Sequence, residues 1–405
     1  MMKNRLHIIG ISSPNFSASQ EDLLGRCSLI IGGKRLLNLC KDFSVKTAGI
    51  TPLATAISTI REALRHGNVA VLASGDPLFF GIGKRLLHEF GSEAVEIYPA
   101  VSSMQKAFAR FKLPWDDARI VSLHGREHTH IPGLLMANAK TFVFTDHENS
   151  PDKLASDIID YLQLIGEHSL LDDYKVLIAE DLGSNNENLF SGTLQETAAT
   201  SFSVLNVMCL LRPEKETGSS FGLREEDIHH SRGLITKDEV RAMTLHRLRL
   251  PREGVFWDVG GGSGSVSIEA ARMNPDLTVY VIERKGEELE NIKTNICKYG
   301  CYNIIPVAGN ALDVLSSLPD PHRVFIGGNG GQLQGIIANA AARLPLGGWL
   351  VANGVIEKTI THAPKIMEYH GLTVTKSRIT FSRTDEDGEE KIFNPITIIA
   401  GGKFV

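Results

Sequence analysis

Short apolar runs alternate with longer amphipathic stretches along the first half of the chain, up to about residue 212. Alternation of β-branched runs with helical stretches is typical of α/β architecture with mostly parallel strands. The pattern pauses near residues 114–117, which predicts two lobes in this half. The predicted strands are Leu6–Ile11, Leu29–Gly32, Val69–Ala73, Val95–Tyr98, Arg119–Leu123, Thr141–Thr145, Lys175–Glu180 and Val204–Leu211.

A polar segment separates this half from a second series of the same kind. Residues 213–227 contain many charged residues, glycine and serine, so we predict a linker between two domains, residues 1–212 and 228–405. The predicted helices are Thr236–Leu248, Val266–Met273, Glu287–Tyr299 and Leu333–Leu344. The predicted strands are Val255–Val259, Thr278–Glu283, Ile304–Ala308, Val324–Gly327, Trp349–Asn353, Thr373–Phe381 and Pro395–Ala400. The last two are consecutive, which predicts a doubly wound sheet closed by a hairpin.

The sharpest local feature is a glycine cluster, residues 260–264, between a predicted strand and a predicted helix. Glycine lets the backbone turn sharply and lets a ligand approach the main chain at a helix N-terminus. Glu283 ends the next predicted strand, 19 residues after Gly264. A carboxylate there can accept hydrogen bonds from both ribose hydroxyls. We therefore predict a nucleoside-cofactor site at the carboxyl edge of a parallel sheet.

The spacing of the glycines discriminates between cofactors. A dinucleotide-binding G-x-G-x-x-G motif that began at Gly260 would place its third glycine at Ser265, so the loop is G-x-G-x-G, preceded by Asp258. This form resembles the loop of class I S-adenosylmethionine methyltransferases. A nicotinamide cofactor, and a tight turn without any ligand, stay open as alternatives.

Further motifs extend the resemblance over nearly the whole chain. The second half resembles decarboxylating precorrin methyltransferases that act at meso carbon 15, in residues 233–241, 260–264, 282–284, 309–311, 327–331, 346–348 and 351–353. The first half resembles class III tetrapyrrole methylases that act at carbon 5, in residues 9–11, 32–35, 73–83, 99–103 and 121–126. Together they resemble a family of fused, decarboxylating precorrin methyltransferases of cobalamin biosynthesis. We expect a two-lobed tetrapyrrole methylase fold followed by a Rossmann-like, seven-stranded class I methyltransferase.

This resemblance implies a bifunctional enzyme with an S-adenosyl-L-methionine site in each half. The C-terminal domain is expected to methylate carbon 15 and remove the ring-C acetate carboxyl as carbon dioxide, and the N-terminal domain then methylates carbon 5. The implied conversion is precorrin-6B/6Y to precorrin-8X, or its cobalt-containing equivalent. Because the meso carbon is itself enamine-like, methyl transfer needs positioning more than an acid or a base. No catalytic pair stands out, and His124 and Asn353 are the candidates.

The resemblance also implies which residues contact the donor. In the second half these are Thr236, Gly260, Gly261, Gly262, Ser263, Gly264, Glu283, Asn310 and Ala311. In the first half they are Gly10, Ser74, Gly75, Asp76, Pro77, Phe80, Ser102 and Ser103. Asp76 alternatively only sets a turn, and His124 alternatively is structural.

The substrate carries many carboxylates, so basic side chains are expected at the mouths of both sites. The candidates are Arg110, Arg126, Arg232, Lys237, Arg241, Arg378 and Arg383, each with a solvated surface position as the alternative. The chain departs from the family pattern in three places. Ser12 and Ser13 stand where a second glycine is usual, Asn310 where aspartate is usual, and the acidic loop 385–390 is short.

Composition and charge narrow the class of protein. The 405 residues are 42% hydrophobic and 22% charged, as in an ordinary soluble enzyme of two or three domains. A net charge of −5 disfavours the main rival, an RNA methyltransferase, and the second rival is a cofactor-binding protein without turnover. No apolar run approaches the length of a membrane span, and the five cysteines form no metal-ligand pattern. We expect a cytoplasmic enzyme without a metal, without nucleic-acid or membrane partners, and homo-oligomeric by resemblance.

Overall fold

The computed structural model describes residues 4–124, 128–213, 220–231 and 235–404. Within these residues the strands are β1 (Leu6–Ile11), β2 (Leu29–Gly32), β3 (Lys46–Gly49), β4 (Val69–Ser74), β5 (Val95–Tyr98), β6 (Arg119–Ser122), β7 (Lys140–Phe144), β8 (Lys175–Glu180), β9 (Asn188–Gly192), β10 (Asn206–Leu211), β11 (Gly254–Val259), β12 (Leu277–Glu283), β13 (Ile304–Ala308), β14 (Arg323–Ile326), β15 (Trp349–Gly354), β16 (Thr373–Ile379), β17 (Ser382–Thr384), β18 (Glu390–Ile392) and β19 (Ile396–Gly402).

The α-helices of the described residues alternate with these strands. They are α1 (Ala18–Gly25), α2 (Lys34–Leu37), α3 (Leu53–Ala63), α4 (Gly83–Phe90), α5 (Ser103–Phe111), α6 (Ile131–Met136), α7 (Pro151–Leu164), α8 (Leu194–Ala198), α9 (Asp238–Leu248), α10 (Ser265–Met273), α11 (Gly286–Tyr299), α12 (Ala311–Val314), α13 (Leu333–Arg343) and α14 (Glu357–Tyr369). None of the described helices is long and apolar enough to cross a lipid bilayer.

The first half forms two lobes, as the pause near residues 114–117 predicts. The first lobe is a parallel sheet in the order β3-β2-β4-β1-β5. Every residue of β1 is buried, because separate apolar clusters cover the two faces of the sheet. The second lobe is a mixed sheet in the order β6-β7-β10-β8-β9. Strands β6 and β7 pair in parallel, and the other neighbouring strands pair antiparallel.

The second half is a doubly wound sheet of seven strands. Its order is β13-β12-β11-β14-β15-β19-β16, with five parallel strands and an antiparallel pairing of β19 with both β15 and β16. The expected pair of closing strands is present, but the connection between β16 and β19 carries an additional small hairpin of β17 and β18. The acidic loop 385–390 contains its turn and the first residue of β18, and the Asp385 carboxylate accepts the amide of Glu389 across 2.8 Å.

Four short strands were not predicted from the sequence: β3, β9, β17 and β18. All four are mostly exposed and lack a run of buried apolar residues. Such strands leave no clear hydrophobic pattern in the sequence, since alternation records burial and not pairing.

The two halves share a buried apolar contact layer. The Tyr161 hydroxyl on α7 donates to the Ile304 carbonyl on β13 across 2.6 Å, and His130 bonds the Tyr302 carbonyl through Nε2 at 2.9 Å. Burial lowers the pKa of His130 to about 4, so the imidazole is neutral near pH 7. Residues of α6 and α7 belong to the same core cluster as residues of α10, α11 and β13. The domain boundaries drawn from the sequence, 1–212 and 228–405, stay predictions.

Candidate functional site

The glycine loop of the second half follows β11, the strand that lies between the parallel strands β12 and β14. The amide of Gly260 donates to the Ile282 carbonyl across 2.9 Å. Gly260, Gly262 and Gly264 have φ values of 69°, 56° and 75°, in the left-handed region that favours glycine. A Cβ at Gly260 would also collide with the backbone of Gly328, at the end of β14. The loop therefore depends on glycine at these positions.

Glu283 is fixed at the edge of the sheet by backbone amides. It is 8% exposed, and its Oε2 accepts the amide of Gly262 across 3.0 Å. Its Oε1 accepts the amides of Arg284 and Lys285 at 2.8 and 3.0 Å. The carboxylate is held in one orientation, with Oε2 retaining a lone pair for a ligand.

An open cavity lies beside this carboxylate, at the carboxyl ends of β11, β12, β13 and β14. Its walls contain five of the predicted donor residues: Gly260, Gly262, Glu283, Asn310 and Ala311. They also contain nine residues for which no donor role was predicted: Val259, Ile282, Arg284, Lys285, Glu288, Gly309, Gly328, Asn329 and Gly330. Arg284 and residues 328–330 lie in motifs on which the family resemblance rests. The spacing of Glu288 did not mark it as a residue of this cavity.

Three other predicted donor residues support the loop without lining the cavity. The amide of Gly264 donates to the Gly261 carbonyl across 2.9 Å, and Ser263 is buried. Thr236 lies before α9, where its carbonyl accepts from Arg241 across 3.1 Å, and it is not among the cavity residues.

Asp258 lies buried beneath the loop. Its Oδ2 accepts from the Ser267 hydroxyl across 2.6 Å, whereas its Oδ1 has no hydrogen-bond partner among the described residues. Burial raises the pKa of Asp258 to about 7; the charge of Glu283 also raises it, and the Ser267 hydrogen bond lowers it. The Asp258 carboxyl is therefore protonated in a fraction of the molecules near neutral pH.

In the first half, three segments meet at the carboxyl edge of the first lobe. Ser74, the last residue of β4, pairs in register with Ile11 at the end of β1. The amide of Gly75 donates to the Ile11 carbonyl across 2.9 Å. A Cβ at Gly10 would collide with the Gly75 carbonyl and lie 2.7 Å from the amide nitrogen of Ala100. Gly10 is therefore required for this close approach.

The loop after Gly75 is shaped by its own hydrogen bonds. Asp76 accepts the amide of Leu78 through Oδ1 across 2.8 Å, which is the turn-setting role left open above. The Pro77 carbonyl accepts the amide of Gly83 across 2.8 Å. Phe80 has a φ of 53° and is 44% exposed, so the turn presents an aromatic ring to solvent.

The third segment begins α5. Ser102 caps this helix by accepting the Gln105 amide across 3.2 Å, and Ser103 is its first residue. One turn later, the Lys106 ammonium donates to the Ser12 carbonyl. Ser12, one of the departures from the family pattern, is thus held by its main chain.

The catalytic candidates lie apart from the cavity. His124 is exposed after β6. Asn353, on β15, donates through Nδ2 to the Thr244 hydroxyl across 3.1 Å. Neither is among the residues that line the cavity.

Two predicted substrate-binding arginines are occupied by internal ion pairs. Arg241 is 2% exposed and pairs with Asp238 at 2.9 Å and with Glu269 at 3.4 Å. Arg241 therefore holds the core together and does not reach the mouth of a site, so this prediction is wrong. Arg110 pairs with Glu187 on the surface of the second lobe.

Lys237 and Arg383 take part in another network. Lys237 donates to Glu225, and Arg383 pairs with Glu225 at 2.8 Å and with Glu239 at 2.7 Å. The hydrogen bond from Arg383 to Glu239 raises the pKa of the guanidinium. Arg378 is exposed on β16, with no ion pair to the described residues. Two further candidates lie outside the described residues: Arg126 and Arg232.

Comparison with known proteins shows the family of the chain. Residues 227–401 match a family model described as a precorrin methyltransferase domain, and residues 17–198 match the tetrapyrrole (corrin/porphyrin) methylases. A precorrin-6Y C(5,15)-methyltransferase (decarboxylating) from Sinorhizobium sp is 32% identical over 360 residues, which cover 86% of this chain and 84% of the relative. The chain belongs to the precorrin-6Y C(5,15)-methyltransferase family.

Shorter relatives match about half of the chain. A probable cobalt-precorrin-6B C(15)-methyltransferase (decarboxylating) from Pyrobaculum calidifontis is 36% identical over 184 residues, 44% of this chain and 94% of the relative. A crystal structure of a precorrin-6y C5,15-methyltransferase from Geobacter metallireducens GS-15 is 38% identical, with a TM-score of 0.45, and covers 46% of this chain and 98% of its own. Membership of the precorrin-6Y C(5,15)-methyltransferase family confirms the predicted family, fold class and methyltransferase class.

Proposed function

We propose that this chain methylates a precorrin at meso carbons 5 and 15 and removes the ring-C acetate carboxyl, with S-adenosyl-L-methionine as the donor at both sites. Residues 228–405 carry carbon-15 methylation and decarboxylation, and residues 1–212 carry carbon-5 methylation. The observation that supports this most strongly is the Glu283 carboxylate, fixed by three amides on the wall of the glycine-loop cavity.

The residues of this cavity fit a nucleoside donor. A Cβ at Gly262 would meet no protein atom within 4 Å, so the main chain is accessible there to a ligand. In this proposal Glu283 accepts the ribose hydroxyls, and the adenine ring follows the ribose toward Asn310 and Ala311, which line the cavity just after the next strand. The Oδ1 of Asp258 lies buried beneath the loop without a hydrogen-bond partner among the described residues.

The donor, when bound, supplies an electrophilic methyl group, and the protein orients it. Gly262 allows close approach to the main chain, Gly260 lets the Gly328 backbone pack against the loop, and Glu283 fixes the ribose. In the first half, Gly10 and Gly75 let the segments around Ser74 and Ser102 approach each other closely and so shape the edge of the sheet where the donor binds, with Phe80 at the rim. Positioning of this kind is the main requirement of an in-line transfer to a nucleophilic carbon.

The cysteines indicate the compartment in which the protein functions. Cys27, Cys40 and Cys209 are buried thiols that form no disulfide. Free thiols of this kind are typical of a reducing compartment, and we therefore place the enzyme in the cytoplasm. By resemblance to the family, we expect it to be a homo-oligomer. The partner is a small tetrapyrrole.

One assay tests the proposed function. The full chain is incubated with methyl-labelled donor and with either the metal-free or the cobalt-bearing tetrapyrrole intermediate. We expect two methyl groups and one carbon dioxide per tetrapyrrole, and the metal form that turns over identifies the natural substrate. Donor binding without transfer to either tetrapyrrole would overturn the proposal in favour of a non-catalytic binding protein.

A further inference from the structure

The segment 220–231 connects the two halves, and it is fastened to the two helices that flank the glycine loop. The amides of Gly222 and Leu223 donate to the Glu269 carboxylate on α10, at 3.2 and 2.8 Å. Further along, the Asp227 carbonyl accepts from the side chains of Lys298 and Tyr299 on α11. Ile228 is buried between these attachments. The later part of the predicted linker is thus an ordered strap on the second half.

Asn295, on α11, joins this strap to the glycine loop itself. Its Oδ1 accepts the amide of His229 across 2.9 Å, and its Nδ2 donates to the His229 carbonyl across 2.9 Å. The same Nδ2 donates its second hydrogen to the Ser263 carbonyl, in the middle of the loop, across 3.0 Å. Asn295 is fully buried, so its hydrogen bonds are not exchanged with water.

The chemistry of the amide makes this link specific. One acceptor faces an N–H group, and both donor hydrogens face carbonyl oxygens, so the orientation of the Asn295 amide is determined. An aspartate would direct a carboxylate oxygen at two carbonyls, and an alanine would leave the three backbone groups without partners. We propose that Asn295 is a positioning residue for the donor, which fixes the glycine loop against the strap. This inference rests on the proposed function, because it assumes that the loop binds the donor.

The second half contains a matched control residue. Asn303 is also buried, and its Nδ2 donates to the carbonyls of Leu277, Asn274 and Ala271 at 2.8, 3.2 and 3.4 Å. These carbonyls lie at and beyond the C-terminal end of α10, away from the loop. Asn303→Ala and Asn295→Ala therefore remove comparable buried hydrogen bonds at opposite ends of α10.

The test compares both variants in the full chain, with carbon dioxide release as a readout of the second half alone. We expect Asn295→Ala to raise the donor KM for this step about tenfold, the scale of one lost buried hydrogen bond. At saturating donor, kcat should stay within roughly twofold, because the lost interaction affects binding and not the transfer. Asn303→Ala should leave the donor KM unchanged. Carbon-5 methylation in the first half should keep its donor KM in both variants.

Hydrogen exchange in the unmodified protein gives a second measurement, which holds even where Asn295→Ala does not fold. S-adenosylhomocysteine should slow exchange of the His229 amide, which Asn295 accepts, and leave the Leu277 amide unchanged. An equal donor KM in Asn295→Ala and wild type, or no change at His229 in a protein that binds S-adenosylhomocysteine, overturns the inference alone. Absence of S-adenosylhomocysteine binding by the wild type overturns the proposed function instead.

Discussion

The amide of Gly262 donates to the carboxylate of Glu283 across 3.0 Å, so the glycine loop and the end of the adjacent strand form one hydrogen-bonded unit. The same carboxylate accepts two further amides, which leaves it little freedom to rotate. Loss of Glu283 would therefore affect both a ligand contact and the shape of the loop.

Glu283→Ala should weaken binding of S-adenosylhomocysteine at the second-half site by roughly 1.5–3 kcal/mol, the scale of hydrogen bonds to a charged group. The fold should survive, because a carboxylate at the end of a strand contributes little to core packing. Calorimetry on the full chain measures both sites, and the first-half site is the internal reference. Glu290→Ala, an exposed change on α11, is the control. An unchanged dissociation constant would remove Glu283 from the ribose role.

Gly262→Val should abolish carbon-15 methylation and carbon dioxide release. The variant puts a branched side chain where the donor is expected, and it also strains a backbone with a φ of 56°. Gly347→Val separates these effects, since Gly347 has a φ of 79° and equally free space around its Cβ. The two variants should lose similar stability in denaturant unfolding, and only Gly262→Val should lose activity. Retained carbon-15 methylation in Gly262→Val would contradict the assignment of the loop.

Asp258 should make the stability of the second half depend on pH. Its pKa is about 7 in the folded chain and 3.8 as the reference value, so folding favours the protonated carboxyl. Its stabilising contribution is full below pH 3.8 and is lost as the pH rises through 7. Asp258→Asn does not titrate, so its free energy of unfolding relative to wild type should increase by at least about 1 kcal/mol between pH 4 and pH 8. A difference independent of pH would show that Asp258 is ionised throughout this range.

Separate expression should divide the two activities. Residues 1–215 and 228–405 should each bind the donor, and the C-terminal piece should add one methyl and release carbon dioxide. Its product should accept a second methyl only after the N-terminal piece is added. Decarboxylation by the isolated N-terminal piece would reverse our assignment of the two halves.

The starting residue of the C-terminal piece should also matter. A fragment of residues 220–405 keeps the amides of Gly222 and Leu223 that Glu269 accepts, whereas residues 228–405 leave this buried carboxylate without them. The longer fragment should therefore be the more stable by about 1–3 kcal/mol, the cost of unmade buried hydrogen bonds. Equal unfolding midpoints would show that the strap contributes nothing to the isolated domain.

Most of the fold and much of the second-half site were predictable because their signals are local. Buried strands such as Leu6–Ile11 and Val255–Val259 carry continuous apolar runs, and the Gly260–Gly264 loop is contiguous with its strand. The distance from this loop to Glu283 follows from the length of one helix and one strand. These features needed no knowledge of tertiary contacts.

The roles of the charged residues depended on partners distant in the sequence. Arg241 pairs with Glu269 and Arg383 with Glu225, and no local pattern distinguishes such arginines from ones that face a substrate. Asn295 was not predicted for the same reason, since its proposed positioning role depends on hydrogen bonds to His229 and Ser263. Sequence periodicity marks Asn295 only as one polar position on a helix.

The hydrogen bond from Tyr161 to Ile304 has a consequence for how this protein can change over evolutionary time. Tyr161 belongs to the first half and Ile304 to the second, yet both are completely or nearly completely buried in one shared core cluster. A substitution on α7 that alters this contact therefore changes which residues β13 can accommodate there, and the reverse holds as well. Such mutations are epistatic across the two halves, so a half exchanged with that of a distant homologue would bring a mismatched surface unless these positions were exchanged with it.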